Sequence, residues 1–337
     1  MELLATLPAV HQRELLARIL EHPLVAGVRY NTGVSSAFSP GETLALLAEA
    51  AAASGKELWV DLKCRQLRIH HWATPGYGRI VLDHEVEVEL PARVYFRGDD
   101  YSELRAVRGD TLYVDPPPRH AVGEGQAVNI VGAAVRVRGY LTEKDCEYAE
   151  AARRLGLRSF MLSFVEGSED IAAARDVLGA DARLALKIES CAGLRWLEQE
   201  VHHEAPPPHL PPLAGGGAEG GAAALAPSRR RIPETLVAAC DDLGVQLGST
   251  GPPLLRAVAA IARHDPNAIL ASRLFESLEH GVAPTLADFS HIQLHRQVGF
   301  RRFMLSDGIC WRHFDRAMAA WASLAGSDDD VPGGLQP

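Results

Sequence analysis

Short apolar runs alternate with amphipathic stretches along most of this chain. Eight runs have the length and composition of buried β-strands, at residues 2–7, 27–31, 57–63, 159–165, 183–189, 235–242, 268–272 and 302–307. Each is followed sooner or later by a stretch with helical spacing of its apolar positions, as in residues 11–22. This count predicts an α/β fold, a (β/α)8 TIM barrel. The alternative is a doubly wound open sheet, but no glycine-rich phosphate loop follows any predicted strand.

The alternation of strands and helices breaks after the third strand. From about residue 72 to residue 127 the chain shows valine–glutamate alternation (Val86 to Leu90), Gly-Asp turns and three consecutive prolines, Pro116 to Pro118. Strands without intervening helices predict a small inserted β domain, which would act as a lid over the barrel mouth. The barrel is then expected to comprise residues 1–71 and 128–325.

Two further segments are predicted to lie outside the folded core. Residues 203–231 are rich in proline and glycine and are expected to form a disordered loop insertion. The acidic, glycine- and proline-rich residues 326–337 are expected to form a flexible tail.

Composition narrows the class of function. The 337 residues are 47% hydrophobic and carry a net charge of -9, which argues against a nucleic-acid binder or an anionic-membrane binder. Five scattered cysteines without a zinc-type spacing indicate a reducing, cytoplasmic location. Neither a secretion signal nor an apolar run of membrane-spanning length is evident.

Polar residues cluster where the predicted strands end. Lys187 and Glu189 stand two residues apart in one strand and so point to the same side. Other strands end in the polar residues Arg29, Asn31, Asp61, Lys63, Asp241, Asp242, Ser272, Ser306 and Asp307. In a barrel these ends form one mouth, which favours a catalytic site over a set of ordinary surface polar residues.

The chemistry of these side chains predicts two subsites. Arg29, Lys63 and Lys187 would form an anion site. Glu189 and Asp242 would form a divalent-cation site of hard oxygen ligands that suits Mg²⁺ or Mn²⁺. A metal beside several cations is suited to a phosphorylated or carboxylated small molecule.

Short segments spread from the first strand to the eighth resemble pyruvate kinase in their order and spacing. They are ATLP at 5–8, VRYN at 28–31, VDLK at 60–63, VNIVGAA at 128–134, LTEKD at 141–145, LSFV at 162–165, KIE at 187–189, CDDLGV at 240–245, ASRLFES at 271–277, PT at 284–285 and MLS at 304–306. The resemblance implies a magnesium-dependent phosphotransferase that converts phosphoenolpyruvate and ADP to pyruvate and ATP in glycolysis. It covers the catalytic barrel and a shortened lid, without the family's C-terminal regulatory domain.

Carried over by position, the resemblance implies a role for each matching residue. Arg29 and Lys187 would bind the phosphate of phosphoenolpyruvate, and Arg68 would contact the transferring phosphoryl group. Glu189 and Asp242 would ligate Mg²⁺, and the turn after Asp242, at Leu243, would receive the carboxylate. Ser272 would lie near the proton-transfer path, and Asn31 and Asp61 would bind a monovalent cation, K⁺ in that family.

The sequence departs from the family mainly on the nucleotide and potassium side. Gly33 and Val34 replace a serine and a histidine near the potassium site, and the lid lysine is replaced around Gly125 and Gln126. Two other functions therefore stay open: a magnesium-dependent lyase or aldolase acting on a pyruvate enolate, and a catalytically silent homologue that binds phosphoenolpyruvate. Binding of ADP or ATP and assembly into a homo-oligomer stay open as well.

Overall fold

A computed structural model of the chain describes residues 1–34, 36–71, 73, 77–97, 100–132, 134–202 and 232–326. The loop insertion predicted at 203–231 and residues 327–337 of the predicted tail lie outside the described residues.

The described residues form strands and helices in the order expected of an interrupted barrel. The strands are β1 (Glu2–Thr6), β2 (Gly27–Asn31), β3 (Glu57–Leu62), β4 (Arg79–Val81), β5 (Val86–Val88), β6 (Ala92–Arg97), β7 (Asp100–Arg108), β8 (Thr111–Asp115), β9 (Asn129–Gly132), β10 (Val135–Val137), β11 (Ser159–Leu162), β12 (Arg183–Ile188), β13 (Thr235–Ala239), β14 (Ile269–Ala271) and β15 (Arg302–Met304). The helices are α1 (Arg13–Glu21), α2 (Pro40–Ala53), α3 (Glu143–Arg154), α4 (Ser168–Leu178), α5 (Cys191–His202), α6 (Cys240–Gln246), α7 (Pro252–His264), α8 (Leu286–Val298), α9 (Asp307–Arg312) and α10 (Phe314–Gly326).

Eight parallel strands close into a barrel in the order β1-β15-β14-β13-β12-β11-β3-β2. The predicted (β/α)8 architecture is therefore confirmed. Inside the barrel, side chains from seven of the strands form one apolar layer, which comprises Leu4, Trp59, Met161, Ala185, Val237, Ile269, Ala271 and Met304. This layer fills the interior, as expected for a packed barrel, and the polar strand ends lie at the mouth.

The end of the sixth barrel strand differs from its prediction. The strand predicted at 235–242 stops at Ala239, and α6 begins at Cys240. Asp241 and Asp242 thus stand in the first turn of a helix, where the helix dipole favours negative charge. The prediction of a strand through residue 242 was wrong, because two adjacent aspartates suit a helix start better than a strand.

The insertion is a small antiparallel β domain with its own apolar core. Its larger sheet has the strand order β4-β8-β7-β6-β9, and β10 pairs with β5 in a second sheet. Because β9 and β10 both follow residue 127, the domain extends past the boundary predicted there. Valine alternation continues through Val135 and Val137, which pair with Val88 and Val86. That alternation is the sequence signal for the later boundary.

One carboxylate lies where the insertion leaves the barrel and returns to it. Asp145 accepts hydrogen bonds from the backbone nitrogens of Lys63 and Cys64, at 2.8 and 2.9 Å, just after β3. The same carboxylate accepts from the backbone nitrogen of Thr142 at 3.0 Å and completes the capping box of α3. The two crossings between barrel and small domain therefore meet at a single side chain.

Candidate active site at the barrel mouth

A cavity of about 300 Å³ opens at the mouth of the barrel. Of the predicted site residues, those that line it are Arg29, Asn31, Lys63, Arg68, Lys187, Glu189, Asp242 and Ser272. Residues from five barrel strands or the turns after them thus converge on one space, as the strand-end pattern predicts. Leu243 is fully buried in the core, and Asp61 is fully buried without lining the cavity.

Asp61 lies among three cationic side chains at the mouth. Its Oδ2 accepts hydrogen bonds from Arg29 Nε at 2.7 Å and from Lys63 Nζ at 2.8 Å, and its Oδ1 lies 3.5 Å from Lys187 Nζ. Burial alone would raise the pKa of Asp61, but the charges of Lys187, Lys63 and Arg29 hold it well below its ordinary value. Asp61 is therefore the counter-ion that makes this group of cations tolerable in the interior.

The pKa values of the two lysines of the site shift in opposite directions. Burial lowers the pKa of Lys63 to about 7, although Asp61 next to it acts in the opposite direction. Burial would also lower the pKa of Lys187, but Asp61 and Glu189 raise it above its ordinary value. Lys187 is therefore a permanent cation, whereas Lys63 is poised to gain or lose a proton near neutral pH.

Glu189 is held by one cation and one backbone amide. Its Oε1 lies 3.0 Å from Lys187 Nζ, and its Oε2 accepts a hydrogen bond from the backbone nitrogen of Phe164 at 2.7 Å. Burial raises the pKa of Glu189 to about 7; Lys187 opposes this rise and the negative charge of Asp242 adds to it. Glu189 and Asp242 line the same cavity.

Asp242 joins the barrel to the small domain. Its Oδ1 accepts a hydrogen bond from Asn129 Nδ2 of β9 at 2.9 Å, and its Oδ2 accepts from Gln66 Nε2 at 3.4 Å. Asn129 also accepts from Gln246 Nε2, one turn further along α6, at 3.1 Å. The small domain therefore contacts the barrel mouth at a residue of the cavity.

The sequence alone did not predict the hydrogen bonds of Asn129 and Gln66 to Asp242. Asn129 and Gln66 are neutral amides without a recognisable spacing, and only the folded chain brings them to Asp242.

The donor chemistry of Glu189 and Asp242 fits a divalent cation. Mg²⁺ is commonly held by one or two carboxylates and completes its shell with water and substrate oxygens. Two mutually repelling carboxylates at one cavity meet that requirement. In the part of the chain that the structure describes, no group of three or more His, Cys, Asp or Glu side chains forms a larger metal cluster.

The structure does not favour a monovalent-cation site at Asn31 and Asp61. Asp61 is surrounded by cationic side chains, and Asn31 Nδ2 donates to Asp307 Oδ2 at 2.6 Å while its Oδ1 accepts from the backbone nitrogen of Gly33. A K⁺ ion beside Asp61 would be repelled by the same three cations that neutralise this carboxylate. The assignment of Asn31 and Asp61 as K⁺ ligands stays a prediction, which these contacts do not favour.

Arg68 reaches the cavity from the first residues of the insertion. Its Nη2 donates to Gln66 Oε1 at 2.6 Å, and its Nη1 donates to the carbonyl oxygen of Gly125 at 2.5 Å. A Cβ atom at position 33 would lie 2.5 Å from the guanidinium carbon of Arg68. A side chain at position 33 would therefore require the guanidinium of Arg68 to move.

The backbone around the mouth is strained. The non-glycine residues with positive φ in the described chain all follow barrel strands: Cys64, Phe164, Ser272, Arg273 and Phe275. Such conformations cost energy and cluster at functional sites. At Phe164 the turn directs the backbone N–H onto Glu189, and at Cys64 it directs the N–H onto Asp145. Ser272, with φ of 71°, lines the cavity and interacts through its hydroxyl with Asp241.

Comparison of the chain with protein-family models and with curated proteins gives no match. None of the helices in the described ranges has both the length and the apolar composition that a bilayer span requires.

Proposed function

We propose that this chain is an enzyme that uses Mg²⁺ or Mn²⁺ to bind phosphoenolpyruvate or pyruvate and to stabilise negative charge on the enol oxygen. The observation that supports this most strongly is the position of Lys187. Its Nζ lies 3.0 Å from Glu189 in the cavity that Asp242 also lines. A fixed cation beside two carboxylates that suit a metal supplies two positive centres for one small anion.

Each residue has a role in this proposal. Glu189 and Asp242 would hold the cation, which supplies Lewis-acid stabilisation of the enolate oxygen when bound. Lys187 would donate a hydrogen bond to the same oxygen, and Ser163 Oγ, 2.9 Å from its Nζ, keeps the ammonium group in place. Burial in the cavity strengthens both interactions because water screens them less.

Lys63 is our candidate for moving the proton at the methylene carbon of the enolate. A general acid–base group works best when its pKa lies near the operating pH, and burial gives Lys63 a pKa of about 7. Its ammonium group lies 2.8 Å from Asp61 and lines the cavity. The resemblance to pyruvate kinase places Ser272 near the proton-transfer path. Ser272 lines the same cavity, next to Asp241.

Phosphoryl transfer is the reaction that the resemblance to pyruvate kinase implies. In it, the bond between phosphorus and the enol oxygen of phosphoenolpyruvate breaks, and a bond to the terminal phosphate oxygen of ADP forms. The enolate left behind takes a proton at carbon and becomes pyruvate. Arg68 lines the cavity and is hydrogen-bonded to the carbonyl oxygen of Gly125. Its guanidinium would contact the transferring phosphoryl group.

A lyase reaction is the second candidate, and the position of Gln126 favours it. In the resemblance to pyruvate kinase, Gln126 falls around the position of the lid lysine that reaches the nucleotide phosphate. Its Nε2 donates a hydrogen bond to the carbonyl oxygen of Phe96 at 3.0 Å, and its neutral side chain adds no positive charge for a nucleotide. In the lyase reaction a 4-hydroxy-2-oxo acid loses the proton of its 4-hydroxyl group, and the bond between C3 and C4 breaks. The electron pair passes to the enolate oxygen, an aldehyde leaves, and C3 takes a proton to give pyruvate.

Release of pyruvate under defined conditions tests the proposal. Purified protein is supplied with Mg²⁺ and either phosphoenolpyruvate with and without ADP, or a 4-hydroxy-2-oxo acid without nucleotide. Pyruvate that requires ADP indicates phosphoryl transfer, and pyruvate from the hydroxy-oxo acid alone indicates the lyase. Metal-independent or absent turnover with every substrate would reject both and leave the binding homologue.

The variant Lys187→Met tests the role of the Lys187 ammonium group in turnover. We expect it to lower turnover by at least about a hundredfold, because it removes a preorganised charge at the reacting oxygen. Lys144→Met is the control, since Lys144 is exposed on α3 and does not line the cavity. Equal turnover of the Lys187 variant and the control would contradict the assigned role.

Three further features belong to the same proposal. The small domain would act as a lid that keeps water out of the reaction, because its Asn129 contacts Asp242 at the mouth. A cytoplasmic location is consistent with cysteines that are all free. Assembly into a homo-oligomer stays a prediction, to be checked by light scattering.

A further inference from the structure

The carboxylate of Asp307 is bound to two residues of the predicted substrate and cation sites. Its Oδ1 accepts a hydrogen bond from Arg29 Nη1 at 2.7 Å, and its Oδ2 accepts from Asn31 Nδ2 at 2.6 Å. Asp307 is the first residue of α9 and lines the cavity, with 30% of its side chain exposed. An anionic group of the protein itself therefore lies on the cationic side of the mouth.

Every nitrogen of the Arg29 guanidinium lies against a protein oxygen. Its Nε and Nη2 lie 2.7 and 2.5 Å from Asp61 Oδ2, and its Nη1 donates to Thr6 Oγ1 at 2.9 Å as well as to Asp307. Tight binding of a phosphate by arginine uses two parallel N–H donors on one edge of the guanidinium. On Arg29 each nitrogen already has an acceptor, so a phosphoryl group could engage two parallel N–H donors only by displacing one of these protein oxygens.

When every group is ionised, the charges around the cavity balance without a ligand. The cations are Arg29, Lys63, Arg68 and Lys187, and the carboxylates that face them are Asp61, Glu189, Asp242 and Asp307. Asp241, which also lines the cavity, is paired with Arg273 at 3.1 Å. One divalent cation would therefore leave two positive charges for the substrate. The enolate of a 2-oxo monocarboxylic acid carries two negative charges, whereas phosphoenolpyruvate carries three when its phosphate is fully ionised.

Resting on the proposed function, we infer that Asp307 is a specificity-determining residue that restricts the cavity to unphosphorylated 2-oxo monocarboxylic acids and their enolates. Its carboxylate occupies the donors of Arg29 and Asn31 that would otherwise receive a phosphoryl group. The substrate class is then that of the lyase candidate, a 2-oxo acid with one carboxylate, and not a phosphorylated enol.

Binding of two probes to the full chain tests this inference. Oxalate is a dianion that mimics the enolate of pyruvate, and phosphoenolpyruvate is its phosphorylated counterpart. Each is titrated calorimetrically in the presence of Mg²⁺ into the wild type, Asp307→Asn and the control Asp315→Asn, which changes an exposed aspartate outside the cavity. We expect the wild type to bind oxalate at least about tenfold more tightly than phosphoenolpyruvate.

The variant should largely remove that preference. Asp307→Asn should bind phosphoenolpyruvate at least about tenfold more tightly than the wild type does, with oxalate affinity changed by less than about threefold. Asp307→Gly serves as a second variant if the asparagine form has a lowered unfolding midpoint. Equal affinity of the wild type for both probes, or an unchanged ratio in both variants, would overturn the inference.

The binding experiment distinguishes failure of the proposed function from failure of the role inferred for Asp307. If neither probe binds to the wild type or to any folded variant in Mg²⁺, the proposed function itself is rejected, and the inference falls with it. If phosphoenolpyruvate binds the wild type tightly, the inference alone is rejected, and the phosphoryl-transfer reaction becomes the better candidate.

Discussion

Arginine–aspartate ion pairs occur both at the barrel mouth and in the small β domain. They are buried at the mouth and exposed to water in the small domain. At the mouth, Asp61 is fully buried and the side chain of Arg29 is 10% exposed. In the small domain, the side chains of Arg105 and Asp115 are 60% and 66% exposed. An exposed pair contributes roughly 0–1 kcal/mol because water screens it. A buried charge instead costs several kcal/mol to remove from water.

This difference indicates which charges serve the fold and which serve the site. Well-packed apolar side chains in place of buried ion pairs are often as stabilising. Stability alone therefore gives no reason to place Arg29, Asp61, Lys63 and Lys187 in the interior. Arg93 and Glu103, on paired strands of the small domain with side chains 51% and 35% exposed, form an ordinary surface ion pair.

Removing the charge of Asp61 should have the largest effect on stability. Asp61→Asn leaves three cationic side chains without their shared counter-ion, so we expect a loss of about 3–5 kcal/mol in the free energy of unfolding. Urea denaturation measures this loss. Asp115→Asn, the same change at an exposed pair, should cost less than about 1 kcal/mol. Similar small losses in the two variants would remove the contrast between mouth and small domain.

Glu189 should give the mouth a pH-dependent stability of intermediate size. Its pKa is raised from 4.5 to about 7 in the folded state, so the folded chain holds a proton that the unfolded chain has lost. The resulting stabilisation is complete below pH 4.5 and disappears as the pH rises through about 7, an effect of at most about 3 kcal/mol.

Unfolding in urea and EDTA at a series of pH values from 4.5 to 7 checks this. Glu189→Gln should lack the component, whereas Glu169→Gln, at an exposed position of α4, should behave as the wild type. Mg²⁺ should restore stability at pH 7 in the wild type but not in Glu189→Gln. An identical pH profile for the wild type and Glu189→Gln would rule out the raised pKa.

The smallest effect is expected in the small domain. Arg105→Ala removes an ion pair 3.1 Å long between two exposed side chains, and we expect it to lower the free energy of unfolding by less than about 0.5 kcal/mol. The difference should shrink further in 0.5 M salt. A loss comparable to that of Asp61→Asn would show that burial does not decide the energetics of these pairs.

Much of the site could be predicted because parallel strands impose a direction. Side chains in a strand alternate between its two sides, so Lys187 and Glu189 had to face one way, and their mutual contact confirms it. The barrel then brings the ends of its strands to one mouth, which is why Arg29 and Ser272 line the same cavity.

The partners of these residues could not be predicted in the same way. Asn31 binds Asp307 across 276 residues, and Asn129 binds Asp242 across 113 residues. Such contacts depend on the three-dimensional position of side chains and leave no periodic signal. The same limitation applies to Asp61, for which the strand pattern gives a position but not the number of cations around it.

Asp145 gives the small domain a particular relation to the barrel. The chain leaves the barrel after Lys63 and returns at Thr142, and both points are hydrogen-bonded to this one carboxylate. The insertion therefore interrupts the barrel without separating β3 from the helix that follows it. A second contact, the hydrogen bond from Asn129 to Asp242, joins the small domain to the barrel beside the cavity. The β domain is thus held to the barrel at Asp145 and, on the side of the cavity, at Asp242.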